Sequence, residues 1–346
     1  MINANYEIEM INSSVRSDAG WFQKISSYVR SGRELQNFLK SNERACLVWQ
    51  SISPQPSGHF RDFLTIYPYL RHHPVIAVVH WGDFDRLFRS PATSVSAKWL
   101  TRRISKLVFN TDNLSSACSA WLSSDRRAVI PNTVDAETHC SDEEVTSKRD
   151  RARDDVFRVL YLSNMIESKG YLDVLQSAIL LNDHEPKIEF DFIGNWYSDN
   201  DRKEFERLLE EGNLKDMVRH HGPVLERVLI KDFHLRADAF VLPSYYPTEA
   251  QPVSIIEALS AGTPIITTDH GGISEMVTDG EEALKVPAKS PSAIADAIRR
   301  LTIPTTWLEL SLRARRHFLE KYHPDVIRKQ WIDLIDTVVI ETESLQ

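Results

Sequence analysis

Two glutamates, Glu249 and Glu257, stand with seven residues between them in PTEAQPVSIIEALSAGTP, residues 247–264. The stretch from Val253 to Ala261 around the second is otherwise apolar or small. Pro252 suits a first helical position, where its missing N–H would be unpaired anyway, and Gly262 is a natural stop. Glu257 is therefore predicted inside a helix with few water-facing positions, sharing a face with Val253, Ile256 and Ser260. An ionised carboxylate there requires a partner, because unpaired burial is costly. It is either a salt-bridge or helix-dipole residue in a partly exposed first turn, or a ligand group. Glu249 falls in the loop before a helix N-terminus that can hold an anion. A phosphate at the amide end, with hydroxyls on the two acids, accounts for both carboxylates.

Two cationic or titratable groups invite the same question. Lys169-Gly170 lies in LSNMIESKGYLDVL (162–175), which follows a strand and opens a helix. His80 ends the apolar run PVIAVVHW, and the C-terminal ends of parallel strands are where α/β proteins bind ligands. A lone loop lysine is more often solvated, and a lone histidine more often a structural hydrogen-bonding residue. No Asp-x-Asp metal motif stands in a strand-end context, so no metal and no other cofactor is expected.

These groups need a scaffold, and the second half of the chain supplies a legible one. VFRVLYLS (156–163), KIEFDFIG (187–194), DAFVLPS, TPIITTD and EALKVP read as strands. GYLDVLQSAILLN, RKEFERLLEEGN, residues 252–261 and 272–277, and SAIADAIRRL read as helices between or after them. The first half repeats the theme with ACLVWQS, PVIAVVHW, KLVFNT and RAVIPN. Strands alternating with helices imply parallel βαβ units and an α/β fold. The charged run DEEVTSKRDRARDD (142–155) has no apolar face and is the linker expected between two domains. HPDVIRKQWIDLIDTVVI forms a long amphipathic pattern after the last strand.

Composition narrows the function class. The 346 residues suit about two domains. Residues 1–150 carry 18 Lys/Arg against 16 Asp/Glu, and residues 151–346 carry 23 against 33. Such a balance does not suit a nucleic-acid protein. No apolar run approaches the roughly 18–20 residues needed to span a bilayer. The first residues lack the basic start and apolar block of a signal peptide. Three scattered cysteines, Cys46, Cys118 and Cys140, suit a reducing cytoplasm better than a disulfide framework.

The string PSYYPTEAQPVSIIEALSAGTPIITTDHGGISEMVTDG resembles the C-terminal signature of the retaining GT-B glycosyltransferases of family 4. The pattern is Glu249/Glu257, the segment Ala258 to Pro264, and Gly271-Gly272-Ile273-Ser274-Glu275. The resemblance implies two Rossmann-like domains with parallel sheets facing across a cleft, plus C-terminal helices. Their expected extents are 1–150 on the acceptor side and 151–320 on the nucleotide-sugar side. Residues 321–346 would form a helix returning to the first domain. The implied function is metal-independent transfer of a hexosyl-type sugar (the EC 2.4 class) with retention. The donor would be a UDP- or GDP-sugar and the acceptor a glycan or lipid-linked glycan. Surface-polysaccharide or lipopolysaccharide O-antigen synthesis at the cytoplasmic membrane face is the expected setting.

Residue by residue, the resemblance gives Glu257 the ribose hydroxyls and Glu249 the transferred sugar. Ala250, Gln251, Pro252 and Val253 would flank the sugar and diphosphate. The family often has Gly-Phe where this chain has Ala250-Gln251, which leaves the sugar open. Lys169 and Gly170 match a diphosphate-facing pair, whereas the family's usual arginine is Asn164, a donor without charge. Gly222, Pro223 and Val224 match the segment near the base, or are a plain strand-end turn. His80 matches the histidine that the family places near the donor sugar. Asn132, in a Pro-Asn-x-Val-Asp segment, orders the interdomain backbone.

The beginning departs from the family. YEIEMINSSV (6–15) reads as the second strand of the first domain, so either the sequence starts late or the first strand has been lost. A truncated, catalytically silent nucleotide-sugar-binding partner is therefore the alternative function, and a nucleotide-sugar epimerase a third. SAKWLTRRISKLVF (96–109) places Lys98, Arg102 and Lys106 at four-residue spacing beside Trp99, Leu100 and Ile104. It reads either as a surface for anionic membranes or as a solvated helix on its own sheet.

Overall fold

The computed structural model describes residues 21–41, 47–70, 73–151 and 156–343. The segment 6–15, read as a strand, lies outside the described residues. The chain divides into two units: Met1–Pro131 with Arg328–Gln346, and Asn132–Ile327.

In the N-terminal unit, β1 (Val48–Ile52), β2 (Val75–Val79), β3 (Lys106–Phe109) and β4 (Arg127–Val129) form a parallel sheet in that order. β2, a continuous apolar run, and β3, apolar after Lys106, are buried along their whole length, as strands of a covered parallel sheet should be. Helices Trp21–Ser41, Pro56–Ile66, Ser94–Thr101 and Asp112–Ala117 accompany them. The C-terminal helix, Pro324–Glu343, begins in the second unit and ends in the first. Its Trp331 ring lies 5.0 Å from that of Trp49.

The basic segment 96–109 does not present one helical face. The helix ends at Thr101, and Lys106 lies on β3, buried, with its amine donating to the Asp125 carbonyl. Ile104 and Leu100 are core residues. The cause is the apolar run after Ser105, which joins the sheet and takes Lys106 with it. Lys98, Arg102 and Arg103 remain exposed, with Arg103 over the Trp99 ring at 4.2 Å.

The C-terminal unit holds β5 (Val156–Leu162), β6 (Lys187–Ile193), β7 (Val218–His220), β8 (Ala239–Leu242), β9 (Ile265–Thr267) and β10 (Ala283–Lys285). The order is β10-β9-β8-β5-β6-β7, all parallel. The chain steps outward from β5 to β7, then returns to the other side of β5 with β8. Strand order reverses between β5 and β8, and that is where ligands bind in open α/β sheets. The core below includes Tyr161, Phe190, Phe192, Phe240, Ile255 and Ile256. Each such burial contributes about 1.5–3 kcal/mol.

The run 142–155, expected as a linker, is instead helical over Asp142–Asp150 and belongs to the C-terminal unit. Ser141 and Glu144 form a reciprocal capping box that satisfies first-turn amides. Val145 and Lys148, three apart and on one face, are both buried. The Lys148 amine donates to the His234 carbonyl at 2.9 Å and to Thr263 Oγ1 at 2.5 Å. A lysine stem thus supplied an inward surface that a count of apolar residues misses.

Candidate functional site

Because all six strands of the C-terminal unit are parallel, the loops leaving β5, β8 and β9 emerge from one edge of the sheet. After β5 comes a short 3-10 turn, Glu167–Lys169, and then helix Tyr171–Ile179. Gly170 joins them at φ 83°, with no room for a side chain: a Cβ would lie 2.6 Å from Pro243 Cγ. The Lys-Gly pair is thereby explained locally, since only glycine lets the β5 loop close onto the residue following β8.

That approach brings Lys169 onto Glu249. The ammonium lies 2.8 Å from Oε1 and 2.6 Å from Oε2, and Ser244 Oγ donates to Oε2 at 2.5 Å. The side chains are 14% and 5% exposed, so this is a largely buried pair. Removing one partner of such a pair costs about 3–5 kcal/mol, because the other is left uncompensated. Lys169 also stands 4.8 Å from the centre of the Tyr246 ring. Ser244 accepts from the Tyr246 amide, and Tyr245 donates its amide to the Ser168 carbonyl at 2.8 Å. The loops after β5 and β8 are thus tied by main chain as well as by charge.

The loop after β9 locks the arrangement from beneath. Gly272 donates to the Glu249 carbonyl at 3.0 Å, and a methyl at 272 would stand 1.6 Å from the Ala250 carbonyl oxygen. A Cβ at Gly271 would stand 2.5 Å from the Glu249 carbonyl oxygen. The Gly271-Gly272 pair is a close-approach device rather than a flexible turn.

Helix Val253–Ser260 follows, with Pro252 as its N-cap residue rather than its first helical one. Every residue from Ser254 to Ser260 is buried, including Glu257. Gly262, at φ 60°, ends it. Glu257 is therefore in no exposed first turn, but it is ion-paired: Arg227 Nη2 donates to Oε1 at 2.6 Å. His234 Nε2 stands 3.6 Å from Oε2, beyond hydrogen-bonding length. Burial pushes the Glu257 carboxyl up, but His234 and Arg227 outweigh it and hold the group below the ordinary carboxylate range.

The remaining positions fall as follows. Ala250 and Gln251 are buried, and Val253 is open at the start of its helix. The Gln251 side-chain oxygen accepts from the Asn132 amide at 2.6 Å, and Asn132 Nδ2 donates back to the Gln251 carbonyl at 3.3 Å. Gln251 and Asn132 thus clasp each other reciprocally, the side chain of each on the main chain of the other. Asn164 is exposed beyond β5. Gly222, at φ 69°, accepts from the Gly194 amide beyond β7; Pro223 is exposed, and Val224 packs against the core. His80 belongs to the N-terminal unit, exposed at the end of β2, with Nδ1 3.4 Å from Asn110 Nδ2. The turn 166–168 also lines an open depression of about 410 Å³ with Tyr197, Ser198, Asp201 and Tyr245.

Arg227, His234 and Ser244 carry this geometry without having been singled out by sequence. Only for Ser244, in the Pro-Ser that ends β8, was there a local signal, as a short hydroxyl at a strand end. Among the described residues no group of His, Cys, Asp and Glu is placed to hold a metal ion, and no helix is long and apolar enough to cross a membrane.

Residues 142–305 match the family model described as glycosyl transferases group 1. The chain is 30% identical over 203 residues to the D-inositol 3-phosphate glycosyltransferase of Paenarthrobacter aurescens, covering 57% of this chain and 48% of that protein. It is 30% identical over 149 residues to the putative teichuronic acid biosynthesis glycosyltransferase TuaC of Bacillus subtilis, covering 43% and 33%. The chain thus spans about half or less of the length of these curated relatives. In structure it is similar to Anabaena HepE, solved in complex with UDP and glucose, with a TM-score of 0.68 at 16% identity over 89% of this chain and 81% of that one. The two parallel-sheet α/β units have the GT-B fold, and residues 142–305 are similar to the group 1 glycosyl transferases.

Proposed function

We propose that the chain is a retaining, metal-independent glycosyltransferase of family 4. It moves a hexosyl-type sugar from a UDP- or GDP-sugar to a glycan or lipid-linked glycan acceptor in surface-polysaccharide synthesis. The observation carrying this reading is the Lys169–Glu249 pair, closed across the β5/β8 reversal by a glycine that permits nothing larger. The match at 142–305 and the UDP and glucose bound to HepE support it. So does the likeness to TuaC for the polysaccharide setting.

In this reading Lys169 exchanges Glu249 for the donor diphosphate and neutralises the charge that develops on it. The released Glu249 carboxylate accepts from the sugar hydroxyls and stabilises positive charge near the anomeric carbon. The bond from that carbon to the phosphate oxygen breaks, and its electron pair leaves with the nucleoside diphosphate. The acceptor oxygen bonds on the same face and its proton passes to a departing phosphate oxygen. Glu257 holds the ribose hydroxyls, the segment 222–224 lies beside the base, and Ala250 to Val253 flank the sugar and diphosphate. His80 acts on the sugar. A cytoplasmic location, with Lys98, Arg102 and Arg103 on an anionic membrane face, completes the reading.

Transfer assays with labelled UDP- and GDP-sugars, beside calorimetry of UDP and GDP, test it. Glu249→Gln should lower turnover by roughly 10²- to 10³-fold while the fold survives. Lys169→Met combined with Glu249→Gln avoids stranding a buried charge and should be as inactive. Unchanged turnover in both would defeat the assignment. Nucleotide binding without turnover by the unaltered chain would favour the silent partner subunit instead.

A further inference from the structure

Glu257 is held more firmly than a hydroxyl ligand alone requires. Arg227 is the first residue of helix Arg227–Arg236, where a cation opposes the helix dipole. Its place there is explained by two carboxylates. Nε donates to Asp135 Oδ2 at 2.7 Å and Nη2 to Glu257 Oε1 at 2.6 Å. Asp135 is itself immobilised, since its Oδ1 accepts from the Thr138 amide at 2.8 Å, Thr138 Oγ1 at 2.9 Å and the Glu137 amide at 3.1 Å. Seven residues beyond Arg227, on the same face of the helix, His234 is 1% exposed and neither ring nitrogen has a hydrogen-bond partner. It stands on the other oxygen of Glu257. One helix thus brackets both oxygens of the acid, and Arg227 stays 39% open to solvent beside it.

We propose that Arg227 is a positioning residue for nucleoside recognition, fixing the Glu257 carboxylate so that its remaining lone pairs meet the two ribose hydroxyls, with Asp135 fixing Arg227 in turn. This rests on the reading of Glu257 as the ribose ligand. A guanidinium suits the task because its planar fork serves two acids at set angles, which a lysine ammonium does not. Held below its ordinary range, Glu257 is an ionised acceptor at neutral pH, and hydrogen bonds to a charged group are the stronger kind.

Calorimetry with UDP or GDP, whichever binds, and the matching 2′,3′-dideoxynucleoside diphosphate tests the idea on the full chain. Arg227→Ala should weaken the ribonucleotide roughly ten- to a hundredfold and leave the dideoxy compound nearly unchanged. Arg227→Lys should fall between, and Asp135→Asn should lose less than Arg227→Ala. Equal weakening of both ligands would mean a merely structural arginine and would overturn the proposal. Glu257→Gln separates the two levels of inference. If it leaves the ribo-to-dideoxy ratio intact, the ribose reading of Glu257 itself is wrong. If it collapses the ratio while Arg227→Ala does not, only the role of Arg227 falls. Should Arg227→Ala fail to fold, Arg227→Gln and Arg227→Lys are read by the same ratio.

Discussion

The two units use the same parallel α/β construction and differ in how the chain travels through it. In the N-terminal unit the four described strands run across the sheet in sequence order, so successive loops never diverge from a common point. In the C-terminal unit the order reverses at β5, and the loops of β5 and β8 part there and are stitched together again. The stitching consists of a largely buried ion pair, a serine hydroxyl and glycines without space for a methyl. The candidate residue of the first unit, His80, remains exposed, with Nδ1 3.4 Å from Asn110 Nδ2. A switch point creates room for a ligand, and here close glycine approaches and a largely buried ion pair hold the surrounding loops in shape.

The contrast can be broken experimentally, beginning with the glycines. Gly272→Ala drives a methyl into the Ala250 carbonyl and should cost about 3 kcal/mol in denaturant unfolding, with loss of nucleotide binding. Gly222→Ala meets nothing within 4 Å and should cost only its left-handed strain, about 1–2 kcal/mol. Equal effects would mean that the loops are not locked.

Next come the residues proposed in each unit. The Lys169→Met/Glu249→Gln protein should bind UDP or GDP at least roughly tenfold more weakly, for loss of one charged contact to the diphosphate. His80→Ala should bind the same nucleotide unchanged while its transfer rate falls, as expected of a group that meets only the sugar. Calorimetry beside rate measurements decides this, and a loss of UDP or GDP affinity in His80→Ala would contradict the division.

A smaller effect concerns pH. Burial lowers the Lys148 amine to about 7, well below the ordinary lysine value. Between about 7 and that ordinary value the unfolded chain binds the proton more than the folded one does, so this group makes stability rise with pH there. Lys148→Met should flatten that rise in unfolding experiments between pH 7 and 10; an unchanged slope would exclude Lys148 as its source. Glu257 acts with the same sign in an acidic window: its stabilisation is full above the ordinary carboxylate range and is lost as pH falls through its lower folded value. The smallest change expected is in liposome flotation. Reversing Lys98, Arg102 and Arg103 should reduce partitioning to anionic vesicles, and unchanged partitioning would end the membrane reading.

Much of the C-terminal unit was legible in the sequence because most of its strands are short apolar or alternating runs and its site motif is local. Glu249, Gly271 and Gly272 lie within one quoted string, and their contacts run between neighbouring loops. Arg227 was not legible, because its two carboxylate partners lie 92 and 30 residues away and nothing beside it in sequence announces them. The helix Asp142–Asp150 was hidden by composition: its inward face is one valine and the stem of a lysine. The basic stretch 96–109 misled for the converse reason, since a four-residue spacing of charges continued past the point where the backbone had become a strand. Periodicity reports a helix only while the chain remains one.

On the proposed reading of Glu249 as the sugar ligand, the glycines beneath its loop also bear on how such a chain acquires a new sugar preference. With the Gly272 amide on the Glu249 carbonyl and no clearance at Ala250, the main chain at this spot cannot be rerouted without displacing the carboxylate. On that reading, change is channelled into the side group at 250 over a fixed track and into loops elsewhere, since the Gln251 side chain is itself engaged by Asn132.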